Sequence, residues 1–575
     1  MERNSKTECW SWKIAYSVLD GLKRCYDSDA FTDTEIEVDG TNFRCHRVVL
    51  CAISDYFQAM FTSGMKESLD GKVRLAGISS KIFQDVLTFY YQGACYIIHA
   101  DNVEDMLRAS TLLQMKCLQN YCEDFYTDQL SVDNAVGIWK LAKCLHCECM
   151  FKKSYRFILR HFSEIFKAGE IMLLEIDELL LFLSDNDLRL PDEDAVAEIA
   201  LQWIEHDFNR IVHLQQICRC LRLPLLSDDL LEKILSFVSK DKNNLLEIIE
   251  PILCERTKRS EQTSLDNVSL RNFEEVLVAL GVRTTAGLQP SANAYSFIQK
   301  QWFGLEPLPF DPGVGFAVCT YENDIYVSGR SGRETYLIRY NSEINQWLDC
   351  PEMLVKRCYH EMVPDEGSLY IIGGCNKHQG ALTGVDVYSV AQCSWQHFSD
   401  LLFGVYSTSA AIIGKTLLVF GGRGTLNRQT QEVQIMDIEN GTASIATYLP
   451  SPTSESRTLV IEDEIFIVFT NGVIMRVFED GSLFPYTKIP NFDRYNFGVF
   501  LHKGRLVVAG GETRYPSSTE SFDDMIRVDI ISDENIPKKT RTLLHTLYRK
   551  ANMFGCQKIL LHRAFLNLPI TSEEM

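Results

Sequence analysis

LYIIGG, residues 369–374, is a short strand-forming apolar run closed by two glycines, and it does not stand alone. Runs of the same kind recur at VLVALG (276–281), IYVSG (325–329), LLVFGG (417–422), IFIVFTN (465–471) and LVVAGG (506–511). Taken at the second small residue of each (positions 281, 329, 374, 422, 471 and 511), the spacings are 48, 45, 48, 49 and 40 residues. A period of this size with several strands per repeat predicts a propeller, because one small sheet buries its faces only against neighbours of its own kind. A second mark shares the period: Tyr295 and Trp302, Tyr340 and Trp347, and Tyr388 and Trp395 each lie seven residues apart, 11 to 21 residues after a small-residue turn. Small residues let a strand end turn tightly, and the aromatic pairs supply apolar surface between sheets.

The first repeat begins directly at its VLVALG strand, while the chain ends in an unpartnered strand within ANMFGCQKILLHRAFL, 551–566. Pairing the last strand with the first sheet closes the ring and removes the open edge, so six blades are expected. Repeat five lacks the glycines and the Trp, and repeat six lacks the Trp, which predicts irregularity on that side.

Ahead of the propeller the pattern changes twice. TEIEVDGTNFRCH alternates apolar and polar residues about Asp39 and Gly40, as a hairpin with one wet face does. HRVVLCAISDYFQAMF follows with Val49, Ala52, Ile53, Phe57, Met60 and Phe61 on one helical stripe, stops at Gly64 as a helix C-cap, and hands over to Met65, Lys66 and Glu67. Before both, SWKIAYSVLDGLKRCY sets Ile14, Val18, Leu19 and Leu22 at helical spacing, an apolar face for which a partner chain is one cover. From about 131 to 255 alternation disappears, and successive amphipathic helices are expected, with Asp192, Glu193 and Asp194 placed at a helix N-terminus. The polar segment CERTKRSEQTSLDN, 254–267, reads as a linker. The expected layout is therefore 1–130 mixed α/β, 131–255 all-α, a linker at 256–272, and an all-β propeller over 273–575.

At 575 residues the chain exceeds what one core organises. Its formal charge of −20 disfavours nucleic acid and anionic membrane as partners, and no apolar run long enough for a membrane helix is found. The polar start MERNSKTECWSW has no secretion core, so a cytoplasmic protein with reduced thiols is expected despite 19 cysteines.

In order along the chain, these features resemble the kelch-like proteins, which join an N-terminal BTB domain, a helical BACK domain and a C-terminal kelch propeller. The BTB likeness rests on Asp33 and FRCHRVVLCAISDYFQAMFTSGMKES, and the BACK likeness on EDAVAEIALQWIEHDFNRIVHLQQICRCLRLPLL, 193–226. The kelch likeness rests on the glycine and Tyr/Trp marks. The resemblance implies a multidomain fold: an α/β BTB domain, an all-α BACK domain and an all-β six-bladed kelch propeller. It implies a non-catalytic substrate adaptor of a cullin-3 ubiquitin ligase, in which Met65, Lys66 and Glu67 contact cullin-3 and the first BACK helices, about 131–165, extend that contact. It further implies a homodimer through Ile14, Val18, Leu19 and Leu22, and capture of a protein substrate on one propeller face. Residues 13 to 16 positions before the small-residue pairs are Arg357, Tyr406, Arg457 and Arg494, which the resemblance points to as a rim for an acidic or phosphorylated segment. The alternative for the arginines is pairing with loop carboxylates.

Other signals carry less. CLHCECM, 144–150, holds Cys144, His146, Cys147 and Cys149, but within one helix these side chains do not converge, so no metal is expected. Cys45, flanked by Arg44 and His46, is a weak candidate for a reactive thiol. No phosphate loop, nucleophile elbow or paired metal-binding histidines occur, so neither a cofactor nor an enzyme is expected. Asp33, His46 and Arg47 read as a buttress between hairpin and helix. A filament-binding scaffold without a ligase role is the alternative function. A BTB zinc-finger regulator is disfavoured because no two-Cys, two-His finger is present.

Overall fold

The structure is a computed structural model that describes residues 17–63, 71–238 and 270–575, apart from 285–286, 312, 331–332, 462–463, 515–518, 523, 529–539, 545–552, 554, 568 and 571–575. The chain forms two compact units, Met1–Leu188 with Ala197–Gln262 and Arg189–Val196 with Thr263–Met575. All but the last three residues of the expected linker lie outside the described residues.

In the first unit β1 (Thr34–Val38) and β2 (Thr41–Cys45) pair antiparallel about Asp39 and Gly40. Both turn residues have positive φ, 48° and 74°, the geometry of a two-residue hairpin loop matched to strand twist. β3 (Lys72–Leu75) adds parallel to β1. Where one helical stripe is expected, the chain makes two helices, α1 (Arg47–Ile53) and α2 (Asp55–Thr62). Ser54 separates them with extended backbone; its hydroxyl caps α2 by accepting from the Phe57 amide at 3.1 Å and donates to the Leu113 carbonyl at 2.5 Å. Leu50 and Phe57 are therefore the deeply buried residues of this run, while Ala52 is exposed.

α3 (Ser80–Gln92), α4 (Val103–Leu112) and α5 (Lys116–Asp128) cover the sheet. The core does not end where the helical region begins. Ile138, Ala142, Cys147 and Met150, from α6 (Ala135–Cys144), α7 (Glu148–Arg160) and the turn between them, share one cluster with Leu118 and Cys122 of α5. Helices continue through α8 (Phe162–Lys167), α9 (Ile176–Ser184), α10 (Glu193–His206), α11 (Leu214–Cys220) and α12 (Asp228–Val238).

The second unit holds six four-stranded sheets among the described residues, all antiparallel. Sheets two to six run in chain order outward from inner strands Ala317–Tyr321, Glu361–Asp365, Ser409–Ile413, Arg457–Ile461 and Gly498–His502. Sheet one takes its inner strand from the C-terminal end: Gln557–His562 pairs with Phe273–Val278 in continuous register. Six apolar clusters each join two neighbouring sheets, and the one that joins sheet six to sheet one, around Leu277, Tyr295, Val507 and Cys556, closes the ring.

The Tyr and Trp marks are cross-strand partners: Tyr295 faces Trp302, Tyr340 faces Trp347 and Tyr388 faces Trp395, with ring centroids 5.3, 5.2 and 5.0 Å apart. Sheets five and six are four-stranded like the rest, so the irregularity expected from their missing marks is absent from their strand order. Sheet five turns on Gly472 (φ 79°) in place of a glycine pair.

Leu561→Ala removes a fully buried side chain of the closing strand, and a loss of about 2–5 kcal/mol is expected. Val460→Ala, at a 40% exposed position of an inner strand, is the control, with a change within about 0.5 kcal/mol in denaturant unfolding of the full chain.

Candidate functional site

The first candidate site lies at the end of α2, where Phe57 is buried, Met60 and Phe61 are half-buried, and the Arg47 guanidinium sits 5.2 Å from the Phe61 ring centroid. Met65, Lys66 and Glu67 lie outside the described residues, as does Ile14. The hairpin beside α2 is braced as expected. The Arg47 amide donates to the Asp33 carboxylate at 2.7 Å, and the His46 ring lies 2.8 Å from the Tyr91 hydroxyl and 2.9 Å from the Ala30 carbonyl. Residues 17–27 are helical; Val18 is 58% exposed, Leu19 reaches toward Gly93, and Leu22 packs on the core of its own unit. Cys45 is fully buried, which pushes its thiol up to about 12 and removes it as a reactive candidate.

CLHCECM is not one helix. α6 ends at Cys144, His146 takes φ 55°, and α7 starts after Cys147. Cys147 is buried, Cys144 and Cys149 are exposed, and no metal-holding group of His, Cys, Asp or Glu occurs among the described residues. The break between α6 and α7 opens a groove lined by Lys116, Glu123, His146, Glu148, Cys149 and Lys152, which sequence reasoning missed because it treated this stretch as continuous helix.

The second candidate site is the propeller face onto which each second strand delivers its glycine turn and from which each inner strand departs. The segment before the inner strand crosses close over the turn. A Cβ on Gly374, whose φ is 94°, would lie 2.9 Å from the His360 Cβ and 3.0 Å from the Cys358 carbonyl, so the turn requires glycine. Two-residue backbone bridges tie the segments together: Cys358 with Cys375, Tyr406 with Arg423, and Tyr495 with Glu512. One step nearer the axis, residues of left-handed backbone join neighbouring blades. Tyr359 (φ 55°) donates its amide to the Gly315 carbonyl at 2.7 Å, Ser407 (φ 50°) to Tyr359 at 2.8 Å, and Glu455 (φ 63°) to Ser407 at 2.9 Å.

This frame sorts the four rim residues. Arg357 and Arg494 stand one position before the bridge and point inward. Arg357 is 1% exposed; its guanidinium donates to the Gly373 and Gly384 carbonyls at 3.0 and 2.9 Å and pairs with the buried Asp386. Arg494, 6% exposed, donates to the Gly510 carbonyl at 3.1 Å and holds both Asp524 oxygens. The loop-carboxylate alternative describes both: they clamp the glycine turn to the third strand. Arg457 opens the inner strand of sheet five and is half-buried beside Glu361, whose carboxyl is raised to about 7 by burial against the pull of that guanidinium. Tyr406 alone of the four stands at a bridge, its hydroxyl 2.6 Å from the Asn427 side-chain oxygen. The count of 13 to 16 residues spans three register positions, and consecutive side chains in an extended segment point opposite ways.

What the face presents instead is concentrated on blades three and four. Lys356, Lys377, His378 and Arg428 are exposed, Arg423 is half-exposed and donates to Asn427 at 3.2 Å, Tyr359 lies 6.4 Å from Tyr406 between ring centroids, and Leu426 is 85% exposed. No Asp or Glu occurs at 356–360, 375–383, 406–408 or 423–430, in a chain whose formal charge is −20.

With this geometry in view, the comparisons agree. The BTB/POZ domain matches residues 22–130, the BACK domain ("BTB And C-terminal Kelch") 135–236, and the Kelch motif 356–402. The chain belongs to the kelch-like BTB-BACK-kelch family. Mouse Kelch-like protein 23 is 25% identical over 91% of this chain and 94% of its own length. Human Kelch-like protein 21 is 31% identical over 62% of each chain, and human Kelch-like protein 6 is 28% identical over 71% of this chain and 68% of its own. In this kelch-like protein the described residues contain no helix long and apolar enough to cross a membrane.

Two outcomes follow from the buried charges. Arg357→Ala leaves Asp386 buried without its guanidinium, and about 3–5 kcal/mol of stability is expected to be lost, measured by denaturant unfolding of the full chain, whereas Lys377→Ala changes it by less than about 0.5 kcal/mol. Because the Glu361 carboxyl is raised from the usual carboxylate range to about 7, the fold holds that proton more tightly than the unfolded chain, so the contribution is present at low pH and is lost as pH rises through 7. Relative to Glu361→Gln, the wild-type unfolding midpoint is expected to fall between pH 5 and pH 8; parallel curves contradict this.

Proposed function

We propose that this chain is a non-catalytic adaptor of a cullin-3 ubiquitin ligase, with the BTB and BACK regions docking on cullin-3 and the propeller face holding the protein to be ubiquitinated. Family membership supports the adaptor role. The observation that carries the cargo reading is the acid-free patch of Lys356, Tyr359, Lys377, His378, Tyr406, Arg423 and Arg428 on a strongly acidic chain, which suits an acidic or phosphorylated segment of the cargo. Arg357 and Arg494 enter this proposal as braces that shape the loops, and Tyr406 as a residue that touches cargo.

On the ligase side, the proposal assigns the contact to Met65, Lys66 and Glu67, an apolar thioether and a carboxylate following α2, and extends it along α6 and α7, whose buried residues are continuous with the BTB core. Dimerisation through Ile14, Val18 and Leu19 doubles the propellers and raises effective concentration on repetitive cargo. The alternative is a filament-binding scaffold without a ligase role, which filament co-sedimentation of the full chain discriminates.

Met65→Ala combined with Glu67→Lys is expected to lower cullin-3 co-purification at least about tenfold with the dimer intact. Unchanged recovery from a folded dimer overturns the ligase reading.

A further inference from the structure

The bridge positions on the propeller face carry different pairs: Tyr406 and Arg423 on blade four, Tyr495 and Glu512 on blade six, and two cysteines, Cys358 and Cys375, on blade three. The two cysteines exchange both backbone hydrogen bonds, Cys358 amide to Cys375 carbonyl at 3.0 Å and the reverse at 2.8 Å. In such a pair the Cα atoms stand about 5.5 Å apart, inside the range that a disulfide spans. Their sulfurs already lie 3.9 Å from each other. Cys358 is 6% exposed, while Cys375 is partly open to solvent on the face.

We infer that Cys358 and Cys375 form a reversible dithiol–disulfide site on the binding face. The co-reactant is a hydroperoxide. The Cys375 thiolate attacks the peroxide, its sulfur bonds one oxygen as the O–O bond breaks, and the other oxygen leaves as hydroxide or alkoxide and takes up a proton. The Cys358 sulfur then attacks the sulfenic sulfur of Cys375, the S–O bond breaks, and that oxygen leaves as water with the Cys358 proton. Two thiols are oxidised by two electrons and one peroxide is reduced. The more exposed sulfur meets the oxidant, and the buried one resolves it at contact distance, which outcompetes further oxidation of Cys375.

The position gives the bond a consequence. Cys375 opens the small hairpin Cys375–Asn376 with Gly380–Ala381, whose tip carries Lys377 and His378, and Cys358 immediately precedes the left-handed Tyr359 of the collar. The disulfide draws these sulfurs about 2 Å closer and fixes the basic tip against the aromatic residue, so the oxidant sets the geometry of one blade's contribution to the face. The site stands whether or not the chain serves a ligase.

The test uses the reduced full chain, hydrogen peroxide, and alkylation before trypsin digestion. Cleavage after Arg357 and Lys377 releases residues 358–377, which contain both cysteines and no other. The expected result is a 358–377 peptide two hydrogens lighter and unlabelled, at a peroxide dose that leaves the exposed Cys144 mostly alkylated, with dithiothreitol restoring both labels. In Cys358→Ser, Cys375 is expected to react with dimedone as a sulfenic acid. A 358–377 peptide that keeps both labels at a dose that oxidises Cys144, or one linked to a third cysteine, overturns the inference.

Discussion

The ladder between Gln557–His562 and Phe273–Val278 is the constraint on which the propeller depends. Five of its six sheets take their strands in chain order from one continuous stretch, and each has neighbours to cover both faces once the ring is closed. Without the last strand, sheet one has a bare inner edge. An unpaired edge of this kind exposes a row of backbone donors and acceptors to water and to other chains. Leu561, with no exposed surface, and Ile559, with 2%, tie the same strand sideways into sheet two, so closure is made of backbone pairing and apolar packing together.

A closed ring then fixes what its ends can be. Each glycine turn has to pass beneath the segment that enters the inner strand, and on blades three and six an arginine from that segment reaches back to the turn carbonyl and to a carboxylate of the third strand. These buried pairs hold irregular backbone in place where no ladder exists. The collar of left-handed residues at Tyr359, Ser407 and Glu455 carries a cost of order 1 kcal/mol each, sustained by the hydrogen bond that each amide donates to the preceding blade. The side chains that remain free of these duties are the ones that give the face its character, and on blades three and four they are basic and aromatic.

Much of this was legible in the sequence. The recurrence of small-residue turns gave six sheets and the closing strand, because a glycine forced by close approach leaves a mark that no other residue replaces cheaply. The seven-residue Tyr–Trp spacing marked the period, but that it is the span of a tight antiparallel hairpin between the third and fourth strands of blades one to three is shown by the strand register. The break at Ser54 was hidden because apolar residues at helical spacing continue across it, and the deciding partner, the Leu113 carbonyl, is distant in sequence. The same holds for the rim. Counting back from a glycine pair cannot tell a residue that clamps the turn from one that stands on the bridge, since the two are adjacent and point opposite ways; Arg357 and Cys358 are such neighbours. The bridge pairs and the collar rest on contacts between blades, which a linear period does not report.

Hydrogen–deuterium exchange of the full chain tests the closed ring most directly. The amides of Gln557–His562 are expected to exchange as slowly as those of the inner strands Glu361–Asp365 and Ser409–Ile413, with Phe273–Val278 equally protected. Rapid exchange across 557–562 while the other inner strands stay protected would show an open sheet one and contradict the account.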